Sequence, residues 1–200
     1  MKAKNLSKIA LAVALAIPAI AAAESNFVTG AATATGANAR LDFRIIIPSV
    51  LYLAVGTSNH PVLTNNGTVD LVDFGTIATP GAGGAVNATS GPVNVAVRGN
   101  NGNIDLTASH VGAGGLADGS GEFISMTTIT GTSGGGGIGH PTFVDNGTSA
   151  PVVVTPNVGT KITNRTDTWT FSYSNATIPA AGTYGTQANQ GRVTYTATMP

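Results

Sequence analysis

Serine, histidine and acidic side chains are the groups in this chain that could do chemistry. Residues 131–135 read GTSGG and place Ser133 in the G-x-S-x-G pattern of a hydrolase nucleophile. That pattern needs a helix directly afterwards, but residues 134–137 are all glycine, a poor helix former. The usual triad order also puts the acid before the histidine, whereas His140 precedes Asp145. We therefore interpret the segment as a glycine-rich loop.

Metal-binding patterns are also weak. His60, His110 and His140 lack the close spacing of a zinc motif, and each falls in a predicted loop, where a solvated histidine is expected. Residues 118–122, DGSGE, resemble a calcium loop but lack its alternating Asp and Asn ligands, so they predict a turn. There is no cysteine and no phosphate-binding loop. We predict no cofactor, no metal site and no catalytic residue, and hence a protein that is not an enzyme.

The N-terminus has the pattern of an export signal. Three lysines precede an apolar run over residues 9–20, which ends in three alanines suited to a signal peptidase. This run is shorter than the roughly 20 apolar residues that span a bilayer. We predict that residues 1–23 are a signal peptide and that the mature chain starts at Glu24. The predicted location is the periplasm, the cell surface or the exterior.

Composition narrows the possible partners. Cleavage after residue 23 removes three of the nine basic residues and none of the nine acidic ones, which leaves a net charge of −3. Since the remaining basic residues do not cluster, nucleic acid is not an expected partner. No second apolar run is long enough to span a membrane, so we predict no transmembrane segment in the mature chain.

Period-two alternation of apolar and polar residues predicts an all-β protein. The sequence GNNG at residues 99–102 predicts a hairpin turn, because Asn-Gly adopts positive φ readily. Evenly spaced strands indicate an antiparallel β-sandwich, immunoglobulin-like or jelly-roll in connectivity. Residues 24–38 are predicted to be an extended N-terminal segment and residues 39–200 the sandwich domain. The predicted strands lie at residues 41–47, 50–55, 68–74, 93–98, 104–109, 123–130, 152–155, 168–173 and 192–199.

Trp169 has two interpretations, a sugar-stacking platform or a core residue. It alternates in register with Phe171 and Tyr173, which favours the core. The predicted core residues are Leu41, Phe43, Ile45, Trp169, Phe171, Val193 and Tyr195.

The last 32 residues carry one family resemblance. The segments WTFSY at 169–173, IPAAGTY at 178–184 and GRVTYTAT at 191–198 resemble the ending of chaperone–usher fimbrial subunits, in particular the cysteine-free, colonisation-factor-like pilins. This resemblance implies an incomplete immunoglobulin-like sandwich that an N-terminal strand of the next subunit completes. It also implies self-association into a fibre, a periplasmic chaperone and an outer-membrane usher.

The N-terminal segment is compatible with a donated strand. We predict Val28, Gly30, Ala32 and Ala34 as its inserted face, although these side chains are small for that role. The favoured function is thus an exported structural subunit of a surface fibre or fimbria, assembled by β-strand complementation. The alternative is a monomeric secreted carbohydrate-binding module, adhesin-like or lectin-like. It would use the loops at 80–92, 111–121 and 131–141.

Overall fold

Antiparallel strands make up almost all the regular structure of this chain. The computed structural model describes residues 24–30, 36–56, 63–112, 114–186, 188 and 190–200. Within those ranges the helical content is a single short 3₁₀ turn, Met126–Thr128. The chain divides into two units, Met1–Ile47 and Pro48–Pro200, and all the described strands belong to the second.

The strands follow segments in which β-branched and aromatic residues alternate with polar ones, a pattern suited to a pleated surface with one buried face. They are β1 (Leu51–Gly56), β2 (Val86–Asn87), β3 (Val93–Gly99), β4 (Ile104–His110), β5 (Leu116–Ala117), β6 (Phe123–Ile124), β7 (Ile129–Ser133), β8 (Gly147–Thr148), β9 (Val152–Val154), β10 (Thr163–Tyr173) and β11 (Val193–Thr198).

Two antiparallel sheets face each other. In the first, β3 lies between β1 and β10, while β2 and β7 pair with opposite sides of the C-terminal half of β10. In the second, β4 lies between β11 on one side and β8 with β9 on the other. A small hairpin, β5–β6, stands apart from both sheets. The predicted all-β antiparallel sandwich is thus confirmed.

The core fills the space between the sheets. Trp169 is fully buried, and its indole N–H donates to the carbonyl of Ile138 at 2.8 Å. Phe171 is buried beside it, while Val193 and Tyr195 are partly buried against the same cluster. These placements confirm Trp169 as a core residue and not an exposed sugar platform.

The core prediction was wrong for the segment before β1. Leu41, Phe43 and Ile45 are 76%, 87% and 85% exposed, and the described part of their unit contains no strand. Their alternation is that of a strand, but they belong to the first unit, which ends at Ile47.

The predicted hairpin at residues 99–102 was also wrong, because β3 and β4 lie in different sheets. The polar groups of residues 99–102 form hydrogen bonds with other parts of the chain. The Asn100 side chain donates to the Pro48 carbonyl at 2.8 Å and accepts from the Val50 N–H at 2.9 Å. The Gly102 N–H donates to the carbonyl of Lys161. The turn is a corner between the two layers.

Two other predicted strands differ from the structure. Residues 68–74 form no regular strand, although the carbonyl of Asp73 accepts a hydrogen bond from the N–H of Thr89. The predicted strand at 123–130 is interrupted because the Ser125 side chain caps the 3₁₀ turn by accepting from the N–H of Thr127.

Candidate functional site

Among the residues that the structure describes, one edge of the sandwich has no strand paired to it. The order β1-β3-β10-β7 matches the A-B-E-D sheet of an immunoglobulin-type sandwich, and β11-β4 matches its F-C pair. In the complete fold a last strand, G, pairs with F on the side away from C. No residue that the structure describes pairs with β11 on that side. The position of the last strand is therefore open.

The core-facing row of β11 is only partly buried along this opening. Val193, Tyr195 and Ala197 stand opposite His110, Ala108 and Leu106 of β4. Those three β4 residues are at most 2% exposed, whereas the β11 residues are only partly buried. The core-facing side chains of β4 are thus fully buried, whereas those of the edge strand β11 are partly accessible to solvent.

The opposite wall of the opening is β1, which pairs only with β3 among the described strands. Leu51, Leu53 and Val55 face the core side, since Leu53 and Val55 pair with the buried Val97 and Val95. Leu51 is 40% exposed and the other two are partly buried.

The two walls converge at one end of the opening. A Cβ placed on Gly99 would lie 2.9 Å from the sulfur of Met199 and 3.4 Å from the carbonyl oxygen of Val50. The start of β1 and the end of β11 therefore meet there. We call the surface formed by the six core-facing residues of these strands the open edge: Leu51, Leu53, Val55, Val193, Tyr195 and Ala197.

His140 fixes the middle of the open edge. Its Nε2 shares a hydrogen bond of 2.8 Å with the hydroxyl of Tyr195. Its ring packs edge-on against the rings of Phe143 and Trp169, with ring centroids 4.6 and 4.7 Å away. Burial lowers the pKa of His140 to about 4 and raises the pKa of the Tyr195 hydroxyl. Both groups are therefore neutral at pH 7, and the Tyr195 ring is held in one orientation.

The prediction of solvated loop histidines was wrong for two of the three. His140 packs among aromatic rings, and His110 is the buried last residue of β4. The ring nitrogens of His110 lie 2.6 Å from the carbonyl oxygens of Asp145 and Gln190, so this side chain joins two loops to the sheet. His60 lies outside the described residues.

The described residues of the first unit are exposed and form no regular secondary structure. Residues 24–30 and 36–47 contain neither strand nor helix, and every one is exposed. The guanidinium of Arg40 pairs with the carboxylate of Glu24 at 2.9 Å, and this hydrogen bond lowers the pKa of Glu24.

The predicted donor face is only partly within the described ranges. Val28 is 45% exposed, and Gly30 lies in a bend with a positive φ of 153°. Ala32 and Ala34 lie outside the described residues. The assignment of these four residues to a donated strand stays a prediction.

The candidate nucleophile has a structural partner. The Ser133 hydroxyl donates to the carboxylate of Asp167 at 2.6 Å, and the same carboxylate accepts from the N–H groups of Ile138 and Thr168 at 3.0 and 2.7 Å. These hydrogen bonds outweigh the effect of burial and lower the pKa of Asp167. Ser133 ends β7, and no helix is found in the described residues that follow it. Its contacts tie the glycine-rich loop to β10.

The DGSGE segment is a turn. The Asp118 carboxylate accepts from the backbone N–H groups of Ser120 and Glu122 at 2.7 and 3.1 Å. Within the described ranges no three His, Cys, Asp or Glu side chains come together in a way that could hold a metal ion.

A polar cleft of about 650 Å³ lies beside the glycine-rich loop. Its lining consists of Asn94, Val95, Ala96, Gly134, Gly136, Thr166, Asp167 and Thr168. The only ionisable member of this lining is Asp167, whose carboxylate already accepts the three hydrogen bonds described above. The cleft therefore offers threonine hydroxyls and backbone groups to a ligand, but no charged group that is not already hydrogen-bonded within the protein.

Sequence reasoning missed half of the open edge. The run at 50–55 was predicted to be a strand, but nothing in its apolar pattern indicates that β1 lies at an edge beside β11. The Pro48–Ser49 break, which separates residues 41–47 from β1, is the signal that could have placed the first segment outside the sandwich.

Comparisons with protein-family models, curated proteins and solved structures find no match. In the part of the chain that the structure describes, no helix is long and apolar enough to cross a membrane. The features that bear on function are therefore the open edge, the exposed apolar segment and the C-terminal resemblance.

Proposed function

We propose that this chain is an exported structural subunit of a surface fibre or fimbria and that it assembles by β-strand complementation. The observation that carries the proposal is the open edge, where the last strand of an immunoglobulin-type sandwich is missing among the described residues. The chain acts by supplying and accepting a strand, and no catalytic step is part of this function.

An unfilled edge of this kind is unstable by itself. Alternate N–H and C=O groups of β11 point away from β4, and the apolar rows of β1 and β11 contact water beside them. A strand inserted there supplies main-chain hydrogen bonds along β11, and its inward side chains fill the gap between the two rows. Each apolar side chain buried completely contributes roughly 1.5–3 kcal/mol.

The strand comes from the N-terminal segment of another copy. In its described residues that segment is exposed, contains neither strand nor helix, and carries large apolar side chains at alternate positions from 41 to 47, so it could form the strand that the open edge lacks. The C-terminal resemblance to chaperone–usher subunits supports the same mechanism. It extends the proposal to a periplasmic chaperone, which would cover the open edge before assembly, and an outer-membrane usher.

A monomeric carbohydrate-binding module is the second candidate, and the polar cleft beside residues 134–136 favours it. The threonine hydroxyls and glycine backbone there could bind sugar hydroxyls. Against this function, Trp169 is buried and Asp167 is held by its own loop. The open edge also has no role in a monomeric module.

Substitution on the two faces of β11 tests the proposal. Ala197 faces the gap and Thr196 faces solvent on the same strand, so Ala197→Arg blocks an incoming strand while Thr196→Arg is a matched control. The full chain is exported from a bacterial host and sized by light scattering and negative-stain microscopy. We expect rods from the parent and the Thr196 variant, and at least a tenfold loss of rods from the Ala197 variant.

Circular dichroism is the control that checks whether both variants fold. Compact monomers in all three preparations, with no rods from the parent chain, would contradict the fibre function. Ligand screening on the polar cleft would then test the second candidate.

A further inference from the structure

We infer that the strand filling the open edge is residues 41–47 of a second copy of this chain, with Leu41, Phe43, Ile45 and Ile47 as the inserted row. This inference rests on the proposed function and identifies the donor within it. It differs from the sequence prediction, which placed the donor face at Val28, Gly30, Ala32 and Ala34.

The first reason is the chemistry of the exposed row. Leu41, Phe43, Ile45 and Ile47 occupy alternate positions and are 76–87% exposed. In an extended strand such residues point to one side, so the segment presents four bulky apolar groups together. Soluble proteins rarely leave a contiguous apolar row of this size in water unless a partner covers it.

The second reason is the match in length. The core-facing row of β11, continued by Met199, runs from residue 193 to residue 199, and the exposed row runs from 41 to 47. Each therefore covers six residue steps, or roughly 20 Å at about 3.3 Å per residue. The four apolar side chains of residues 41–47 would then lie beside the four of β11 and Met199, and the core-facing row of β1 would lie on the other side of the inserted strand.

The third reason is the comparison with residues 28–34. Glycine and alanine at three of the four predicted positions bury little apolar surface. The gap is lined by leucine, valine and tyrosine side chains that are only partly buried, so it needs large groups to exclude water. Leucine, phenylalanine and isoleucine meet that need.

The opposite face and the end of the segment are also consistent with an inserted strand. Asp42 and Arg44, with Ile46 after them, alternate with the apolar row and would lie on the outer face once the row is buried. Pro48 follows directly, and because proline has no N–H to donate, it ends the strand at Ile47.

The short link to β1 favours a second copy as the source. Only Pro48, Ser49 and Val50 separate Ile47 from β1. A return into the same molecule would need a tight turn there, but the Pro48 carbonyl and the Val50 N–H already bond to Asn100. Each subunit then gives one strand and receives one. Such head-to-tail contacts produce open filaments when the rotation does not close a ring.

The test compares three variants of the full exported chain. Phe43→Asp combined with Ile45→Asp places charge on the inferred row. Arg44→Asp changes charge on the opposite face of the same segment, and Val28→Asp disables the rival donor. We expect the double variant to lose at least nine-tenths of its rods, and the other two variants to keep theirs. Since residues 43–45 are exposed outside the sandwich, circular dichroism should show all three folded.

Engineered cysteines give an independent measurement, because the chain has none of its own. Ala197→Cys is combined in one chain with either Phe43→Cys or Ile45→Cys, which covers neighbouring registers of the inserted strand. Export into the oxidising periplasm should give a ladder of covalent oligomers on a non-reducing gel. Each cysteine alone, the control, should give no ladder beyond a dimer.

The outcomes separate the inference from the proposed function. Rods that survive in the Phe43/Ile45 double variant but vanish with Val28→Asp would overturn the inference and keep the fibre function. A covalent monomer with an internal disulfide would also overturn it, because the segment would then fill its own edge. Absence of rods from the parent chain would overturn both.

Discussion

The imidazole of His140 shares its hydrogen bond with Tyr195 while three aromatic rings, those of Phe143, Trp169 and Phe171, contact it edge-on. A charged imidazolium in this surrounding would lose hydration without gaining an opposite charge, which is why burial lowers its pKa. In the unfolded chain the same group takes up a proton near its ordinary pKa of 6.5. Folding therefore favours the neutral form of His140.

The sign of the pH dependence follows from these two values. The contribution of His140 to stability is complete above pH 6.5 and is lost progressively as the pH falls towards 4, because only the unfolded chain binds the proton in that range. We expect the free energy of unfolding to fall by up to about 3 kcal/mol across this window. Urea denaturation of a monomeric form at pH 7, 6, 5 and 4 measures it.

His140→Gln is the matched control, because glutamine can keep a hydrogen bond to Tyr195 but does not titrate. The variant should show a flatter pH dependence between 6.5 and 4. The lowered pKa of Asp167 also makes the fold less stable as the pH falls, but mainly below pH 3.8. The change in stability between pH 6.5 and 4 is therefore due largely to His140. Equal slopes for the variant and the parent would contradict the assignment.

At the scale of elements, β7 approaches His140 so closely that it requires a glycine. A Cβ at Gly131 would collide with the imidazole ring, and the ring cannot move away without displacing Tyr195. We expect Gly131→Ala to destabilise the fold by about 1–3 kcal/mol, the usual cost of overpacking a filled site. Gly67→Ala is the control, since no atom lies within 4 Å of its Cβ position. Urea midpoints that shift equally in the two variants would argue against this close contact.

The strands that the sequence predicted well are those specified by the alternation and residue types within the strand itself. β1, β3, β4, β9 and β11 lie within one or two residues of their predicted bounds, because alternation and β-branched residues specify them without reference to neighbours. The turn at 99–102 shows the limit of that information. Asn-Gly chemistry specifies a reversal of the chain, but which sheet the next strand joins depends on distant pairings such as Gly99 with Leu51 and Thr163.

The sequence predicted the alternation of residues 41–47 but not their exposure. Alternating Leu41, Phe43 and Ile45 indicate a strand with one buried face, and the pattern is identical whether that face is buried in its own domain or in another copy. Sequence alone therefore placed these residues in the core and the donor at 28–34. The burial of His110 and His140 was missed for a related reason, since it depends on residues distant in sequence: the Gln190 carbonyl for His110, and Trp169 and Tyr195 for His140.

At the scale of the whole molecule, the chain carries an apolar row and an apolar gap of matching length in two separate units. Both surfaces expose groups that favour uncontrolled association through strand edges. On the proposed function, the open edge would have to be covered from synthesis until assembly, and a periplasmic chaperone is the proposed partner for that step.

If the open edge accepts a free strand, a peptide should stabilise a subunit that cannot polymerise. We expect a synthetic peptide of residues 39–48 to raise the melting temperature of the monomeric Phe43/Ile45 double variant, because a ligand that binds only the folded state shifts the unfolding equilibrium. At a hundredfold excess over Kd the gain is about 2.7 kcal/mol. For a domain of this size that is roughly 5–10 °C.

The control peptide has the same composition with its apolar residues moved out of alternation, and it should leave the melting temperature unchanged. The Ala197→Arg substitution, added to the double variant, should abolish the effect of the first peptide because it blocks the gap itself. A shift that persists with Ala197→Arg would place the peptide elsewhere and exclude the open edge as its binding site. Loss of the shift in that background alone, with retention under Thr196→Arg, would locate the bound strand between β1 and β11.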